Sequence, residues 1–239
     1  MKIENYMNYT QFKTLLGEAK KKSDPICCRF FFRPLSFPAG WLIYKIGLTA
    51  NQISLISIAL TIISFFALIF FSPNYFILIP FLLLLVALLD CVDGNVARAR
   101  GTTGPGGEWM DAFSGYTVYA FIPLALGIHI FLYHPFFNFP ELWIIIGSLT
   151  SISNLLLRLL YQKFINGNIN NFTQKEIRGD ESLFSKISSE LGLVGWMMPA
   201  FLFASITNML GAYLALYCFF YMISVAIISI ILVRKIIIS

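Results

Sequence analysis

Three aspartates stand out in a chain that is otherwise poor in charge. Asp90, Asp93 and Asp111 fall within a stretch that also holds Gly94, Gly101, Gly104, Gly106 and Gly107, with Arg98 and Arg100 between them. Asp90 and Asp93 are three residues apart, so on a helix they project from one face. A Gly-rich turn that folds the next helix back antiparallel would bring Asp111, at the start of that helix, toward them. Carboxylate oxygens are hard donors and suit Mg²⁺, Mn²⁺ or Ca²⁺ rather than zinc. Glycines let backbone approach a phosphate closely, and an arginine guanidinium matches phosphate oxygens. Metal, glycines and arginine together read as a site for a diphosphate-bearing substrate. The plainer alternative pairs the aspartates with Arg98 and Arg100 at helix ends, but so many Asp and Gly exceed what a turn requires.

The elements that must position these residues are membrane helices. Of 239 residues, 58% are hydrophobic and only 12% charged, with a mean hydropathy of +0.76. A soluble domain of this size needs more charged surface, so the apolar excess faces lipid. About 20 apolar residues cross a hydrocarbon core of ~30 Å as a helix. Six runs qualify: 51–71, 75–97, 111–133, 142–161, 191–209 and 212–233. Their continuous Leu, Ile and Phe lack the alternation of barrel strands. The expectation is an all-α integral membrane bundle of six transmembrane helices, 51–239, preceded by a cytoplasmic N-terminal and interfacial segment, 1–50. In that segment, Pro34 and Pro38 should break an aromatic and basic stretch into short pieces, helical after Pro38.

Charge placement orients the bundle. The connectors near 72–74, 134–140 and 210–211 carry no Lys or Arg, whereas the N-terminal 50 residues, Arg98 and Arg100, the 158–186 region and Arg234–Lys235 do. The positive-inside rule then puts both termini and the aspartates on the cytoplasmic side. This asymmetry accounts for the net charge of +5 without nucleic acid as a partner. The four cysteines have no metal-ligand spacing, and the polar first 25 residues hold no apolar run of the kind a cleavable leader needs. An Asn-rich connector at 162–186 should be an exposed loop, and Trp109, Trp143 and Trp196 should sit in the aromatic belts. Clustering of the acids at one edge disfavours a cation-coupled transporter, which needs them near mid-bilayer on several helices.

The order of these residues resembles the signature of the CDP-alcohol phosphotransferase family. That pattern runs Asp, two residues, Asp-Gly, two residues, Ala-Arg, eight residues, Gly, three residues, Asp, three residues, Asp. Asp90, Asp93, Gly94, Ala97, Arg98, Gly107 and Asp111 occupy the first seven fixed positions. Upstream, Thr49-Ala50-Asn51 is similar to the family's Thr-Pro-Asn segment. The resemblance implies transfer of a phosphoalcohol group from a CDP-linked lipid such as CDP-diacylglycerol to an alcohol or phospho-alcohol acceptor, with release of CMP. It implies Mg²⁺ or Mn²⁺ on Asp90, Asp93 and Asp111. It also implies a CDP-alcohol pocket of Asn51, Gly94, Ala97, Arg98, Thr103 and Gly107, and a homodimer as a possible assembly.

The eighth position departs from the pattern. The family's last aspartate, the expected proton acceptor, is Gly115 here, and no Asp or Glu follows Asp111 until Glu141. Loss of a general base typically forfeits ~10²–10⁴ in rate. Three accounts stand: slow or altered transfer, a non-catalytic CDP-lipid binder, or a substitution introduced into an active parent. Packing offers a further reason for the glycine, since Gly107, Asp111 and Gly115 are spaced four apart. On the acceptor side, Asn154, Arg158 and Gln162 form one polar stripe in the fourth span. Arg158 and Asn154 are the candidate acceptor contacts, with Lys163 and Arg178 behind them; the competing reading has Arg158 snorkelling to the interface. Glu190 reads as a charge at a helix N-terminus.

Overall fold

The computed structural model describes residues 7–15, 24–71, 76–134, 139–166 and 189–238. These residues are helical and contain no strand. A short α1, Tyr9–Leu15, precedes a π-helical turn, Cys28–Phe32, that runs directly into α2, Arg33–Ile46. The long apolar helices follow: α3 (Ala50–Phe70), α4 (Leu78–Arg100), α5 (Pro105–Tyr133) and α6 (Leu142–Asn166). A second π-helical turn, Leu193–Met197, leads into α7 (Met198–Ile206), and α8 (Leu210–Ile238) ends the bundle.

Five helices are long and apolar enough to span a membrane: Ala50–Phe70, Leu78–Arg100, Pro105–Tyr133, Leu142–Leu160 and Leu210–Arg234. The run at 191–209, expected as a full span, is instead a shorter apolar helix, Leu193–Ile206. Fourteen residues rise only about 21 Å at 1.5 Å each, short of a ~30 Å core. Gly195 is the local cause: its backbone is not helical (φ −89°, ψ −133°). A side chain there would run into the backbone of Ser189 and Glu190.

Three boundary expectations are corrected. Pro34 stands where the π-helical turn passes into α2, and Pro38 lies inside a helix that continues to Ile46, so neither breaks the segment. The third span begins at Pro105, so Asp111 is in its second turn rather than at its start. Trp143 is buried, its ring lying where a Gly211 side chain would stand, so it is a core residue and not part of a belt; Trp109 and Trp196 are exposed as expected. The Asn-rich connector and Arg178 lie largely outside the described residues.

Packing follows from small residues. α3 turns Ser54, Ser57, Thr61 and Ser64 inward, all buried at helical spacing. This slim face lets α3 pack on both α4 and α5. α5 and α6 cross where Gly127 and Gly147 meet, the Cα of each 3.1 Å from where the other's Cβ would stand. α6 in turn packs on α8. α4 and α5, although consecutive, touch each other far less than each touches α3. Large apolar side chains such as Phe66, Phe70, Phe81, Ile152, Phe203, Leu216 and Phe219 face outward, as lipid requires.

The N-terminal segment is held against the bundle at the end where α4 finishes and α5 starts. α2 packs on the last turns of α4. The Ile26 N–H donates to both carboxylate oxygens of Glu190, at 2.9 and 3.0 Å, which gives Glu190 a structural role across the chain. The Sγ atoms of Cys28 and Cys91, both buried, lie 3.6 Å apart.

Candidate active site

The signature residues occupy the last three turns of α4, and their neighbours decide what each can do. Asp93 is only 5% exposed. A buried carboxylate needs partners, and Ser54 of α3 donates its hydroxyl to Asp93 Oδ2 at 2.7 Å. Asp90, one turn earlier and half-buried, receives no hydrogen bond among the described residues. Asp111 is exposed on α5. The charges of all three carboxylates act on one another.

Neither Arg98 nor Arg100 pairs with these aspartates among the described residues. Arg100 donates to the Tyr44 carbonyl at 3.1 Å and lies 5.1 Å from the centre of that ring. Arg98 donates to Asn95 Oδ1 at 2.8 Å and folds back along its own helix. A Cβ on Gly94 would sit 3.4 Å from both terminal nitrogens of Arg98. Gly94 therefore gives the guanidinium a flat bed beside Asp93, where the sequence suggested room for a phosphate. Gly101 has a different use: it ends α4 in the left-handed conformation, φ +64°, that glycine adopts without cost.

The remaining pocket candidates gather at the same end. Thr49 caps α3, accepting from the Gln52 N–H while Gln52 accepts from the Thr49 N–H. This capping box places Asn51, exposed, in the first turn. Thr103 is exposed in the turn between α4 and α5, Gly107 is half-buried in the first turn of α5, and Ala97 is half-buried on α4.

Like charges without an intervening cation repel, and the Ser54 hydroxyl relieves Asp93 in part. Hard oxygen donors from two helices, whose charges repel one another, fit Mg²⁺ or Mn²⁺. Among the described residues, however, no three His, Cys, Asp or Glu side chains close into a group that could hold a metal ion. The convergence expected from the Gly-rich turn is one of shared electrostatic field and not of a finished ligand shell. The weak contact between α4 and α5 is the reason.

Gly115 is not required by packing. The nearest atom a side chain would meet is Tyr119 Cε2 on its own helix, at 3.9 Å. Ser114 beside it is buried, and Glu108 is exposed two turns earlier.

The polar stripe on α6 is formed and points inward. Arg158 Nε donates to Oδ1 of the fully buried Asn154 at 3.1 Å. Its guanidinium lies 3.7 Å from the centre of the Tyr119 ring of α5, and its charge reaches Asp90. Tyr119 is in turn fixed by accepting the Leu193 N–H at 2.8 Å. Gln162 accepts from the Tyr116 hydroxyl at 3.0 Å. A snorkelling arginine would turn to solvent; this one stacks on a buried tyrosine toward the aspartates. Lys163 is exposed.

The sequence profile of the CDP-alcohol phosphatidyltransferase family matches residues 47–175, just over half of the chain. The chain belongs to this family. Membership supports phosphatidyl-group transfer in phospholipid synthesis, by a multi-pass membrane protein. No curated protein matches the chain. The match covers α3 to α6, so the family region ends before α7 and begins after α2.

Several residues at this site carried no motif signal. Ser54, Asn95, Ser36, Arg33, Asp24 and Tyr119 enter only through contacts between helices. One trace was present: the Ser54, Ser57, Thr61, Ser64 spacing marks a polar face on an otherwise apolar helix.

Proposed function

We propose that this phosphatidyltransferase takes CDP-diacylglycerol or a related CDP-linked lipid and passes its phosphoalcohol group to an alcohol bearing a phosphate, releasing CMP. The observation that carries this reading is the pair of guanidiniums flanking the aspartates: Arg98, bedded on Gly94 beside Asp93, and Arg158, stacked on Tyr119 with its charge on Asp90. One cation faces the donor's diphosphate and the other the acceptor's phosphate, with the carboxylates between them.

Asp90, Asp93 and Asp111 would hold Mg²⁺ or Mn²⁺. When bound, such an ion neutralises the diphosphate and stabilises charge on the departing CMP. Ser54 keeps Asp93 aimed, so this ligand is set before substrate arrives. Arg98 holds a phosphate oxygen of the donor, and Asn51, Ala97, Thr103 and Gly107 line the remaining walls of the CDP-alcohol pocket. Arg158 and Asn154 orient the acceptor on the other side. The positive residues at this end support a cytoplasmic position for it and for both termini.

The proton of the acceptor hydroxyl has no carboxylate at position 115 to receive it. Transfer by orientation and charge alone is therefore slow. The open space at Gly115 also supports a second reading, a CDP-lipid binder without turnover. The deciding experiment measures CMP release from CDP-diacylglycerol with Mg²⁺ or Mn²⁺ across a panel of polyol and phosphorylated-polyol acceptors, alongside CDP-lipid binding. Metal-dependent release that Asp93→Ala abolishes supports transfer. Saturable binding without release identifies the binder, and absence of both overturns the donor-site assignment.

A further inference from the structure

The segment that precedes the family-matched region meets the donor site at a buried amide. Asn95 is fully buried on α4, next to Gly94, and uses both ends of its side chain. Its Nδ2 donates to Ser36 Oγ at 2.9 Å and to the Ser36 carbonyl at 3.3 Å. Its Oδ1 accepts from Arg98 Nη2 at 2.8 Å and from Arg33 Nη1 at 3.4 Å. The orientation of the amide has only one solution, because a carbonyl cannot accept from Asn95 Oδ1 and a guanidinium cannot donate to Nδ2.

Two guanidiniums on one oxygen repel each other, and the two charges do interact here. One of them is neutralised from within the segment. Arg33 makes a bidentate ion pair with Asp24, its Nε 2.8 Å from Oδ2 and its Nη2 3.0 Å from Oδ1. Burial opposes the charge of Arg33, but the Asp24 carboxylate, together with the neighbouring Cys91 and Cys28, holds the guanidinium above its ordinary value. Arg98 has no such carboxylate: among the described residues its side chain is held by Asn95 alone, and its Nε is buried without a partner. A guanidinium carries five N–H donors, so most of this one's capacity is unspent, and among the described residues no carboxylate is hydrogen-bonded to it.

We propose that Asn95 is a positioning residue, locked by Ser36 and the Asp24–Arg33 pair, that aims Arg98 at the donor's diphosphate. The proposal rests on the donor-site reading given above. It makes donor affinity depend on residues 24–36, which lie outside the family-matched region. Arg33 itself does not touch the ligand, since Asp24 and Asn95 occupy it. Its task is to hold Asn95 Oδ1 in place while carrying no net charge to compete with Arg98 for the anion.

The test is calorimetric binding of CDP with Mg²⁺ to the full-length protein in lipid nanodiscs, with KM for CDP-diacylglycerol measured in parallel. Asn95→Ala should weaken CDP binding about 10-fold, the scale of one charge-assisted hydrogen bond, and raise KM more than it lowers kcat. Ser36→Ala, which frees the amide to turn, should act in the same direction by a smaller factor, and Ser36→Thr should restore the wild-type value. In an Arg98→Ala background, Asn95→Ala should have no further effect on CDP affinity. A merely structural role predicts additive losses with a lowered Tm and no rescue by Ser36→Thr, and that pattern overturns the proposal. Wild-type CDP affinity in Asn95→Ala also overturns it while leaving the donor site intact. A wild-type chain that binds no CDP overturns the donor-site reading and this inference together.

Discussion

The two helices that share the aspartates are built very differently at the site. On α4, each polar signature group but one is held before any ligand arrives: Asp93 by Ser54, Arg98 by Asn95 and Gly94, and Asn95 by Ser36 and Arg33. Asp90 is the exception. On α5, Asp111 is exposed, Gly115 has open space around it, and the helix scarcely touches α4. Preorganised groups stabilise developing charge without having to reorganise, whereas loosely placed ones must be recruited at the moment of reaction. The α4 half therefore holds Asp93 and Arg98 in advance, whereas α5 offers no carboxylate at position 115.

This contrast can be broken in order of severity. Asp93→Ala removes the aspartate that Ser54 holds in advance, and CMP release should fall below detection, a loss of at least ~10³. Survival of activity would show that α4 is not the donor half. Arg158→Ala should come next, raising KM for a phosphorylated acceptor roughly 10–100-fold while KM for the donor stays close to wild type. An equal change in both KM values would contradict separate seats for donor and acceptor. Ser54→Ala leaves Asp93 without its hydroxyl partner and should lower kcat/KM about 5–10-fold, on the scale of a hydrogen bond to a charged group. The mildest test leaves chemistry aside and asks whether the N-terminal segment is seated as described. Diamide, which accepts two electrons and two protons from a pair of thiols, should join Cys28 to Cys91 as a disulfide visible by peptide mass. Cys28→Ser should abolish the cross-link. Failure of the wild-type pair to couple would remove the support that the donor grip draws from this segment.

Most of the bundle was legible in sequence because lipid imposes a simple rule on length and hydropathy. That rule failed at 191–209, where Gly195 permits a backbone break that a hydropathy run does not register. It also misjudged Pro38, since a proline is tolerated where neighbouring structure fixes the helix. The signature residues on α4 could be read from spacing alone, being local in the chain. Ser54, Ser36 and Arg33 could not, because their importance comes from contacts 39 to 62 residues distant in sequence. The start of α5 was misplaced because Pro105, Gly106 and Gly107 look like a turn, although a proline at the first position of a helix is favourable. The stripe of Asn154, Arg158 and Gln162 was visible as a period, but its inward direction was settled only by Tyr119 and Tyr116 across the helix interface.

The central claim is that the proposed donor site, held partly in advance on α4, is coupled to an acceptor side lacking its base. The most direct measurement is the rate of Mg²⁺-dependent CMP release by Gly115→Asp beside the wild-type chain, with the best acceptor of the panel. A Cβ there meets no atom closer than Tyr119 Cε2 at 3.9 Å. The account predicts that the rate rises about 10²–10⁴-fold, with KM for the CDP-lipid little changed. A Gly115→Asp chain no faster than wild type would contradict it and place the proton acceptor elsewhere on the molecule.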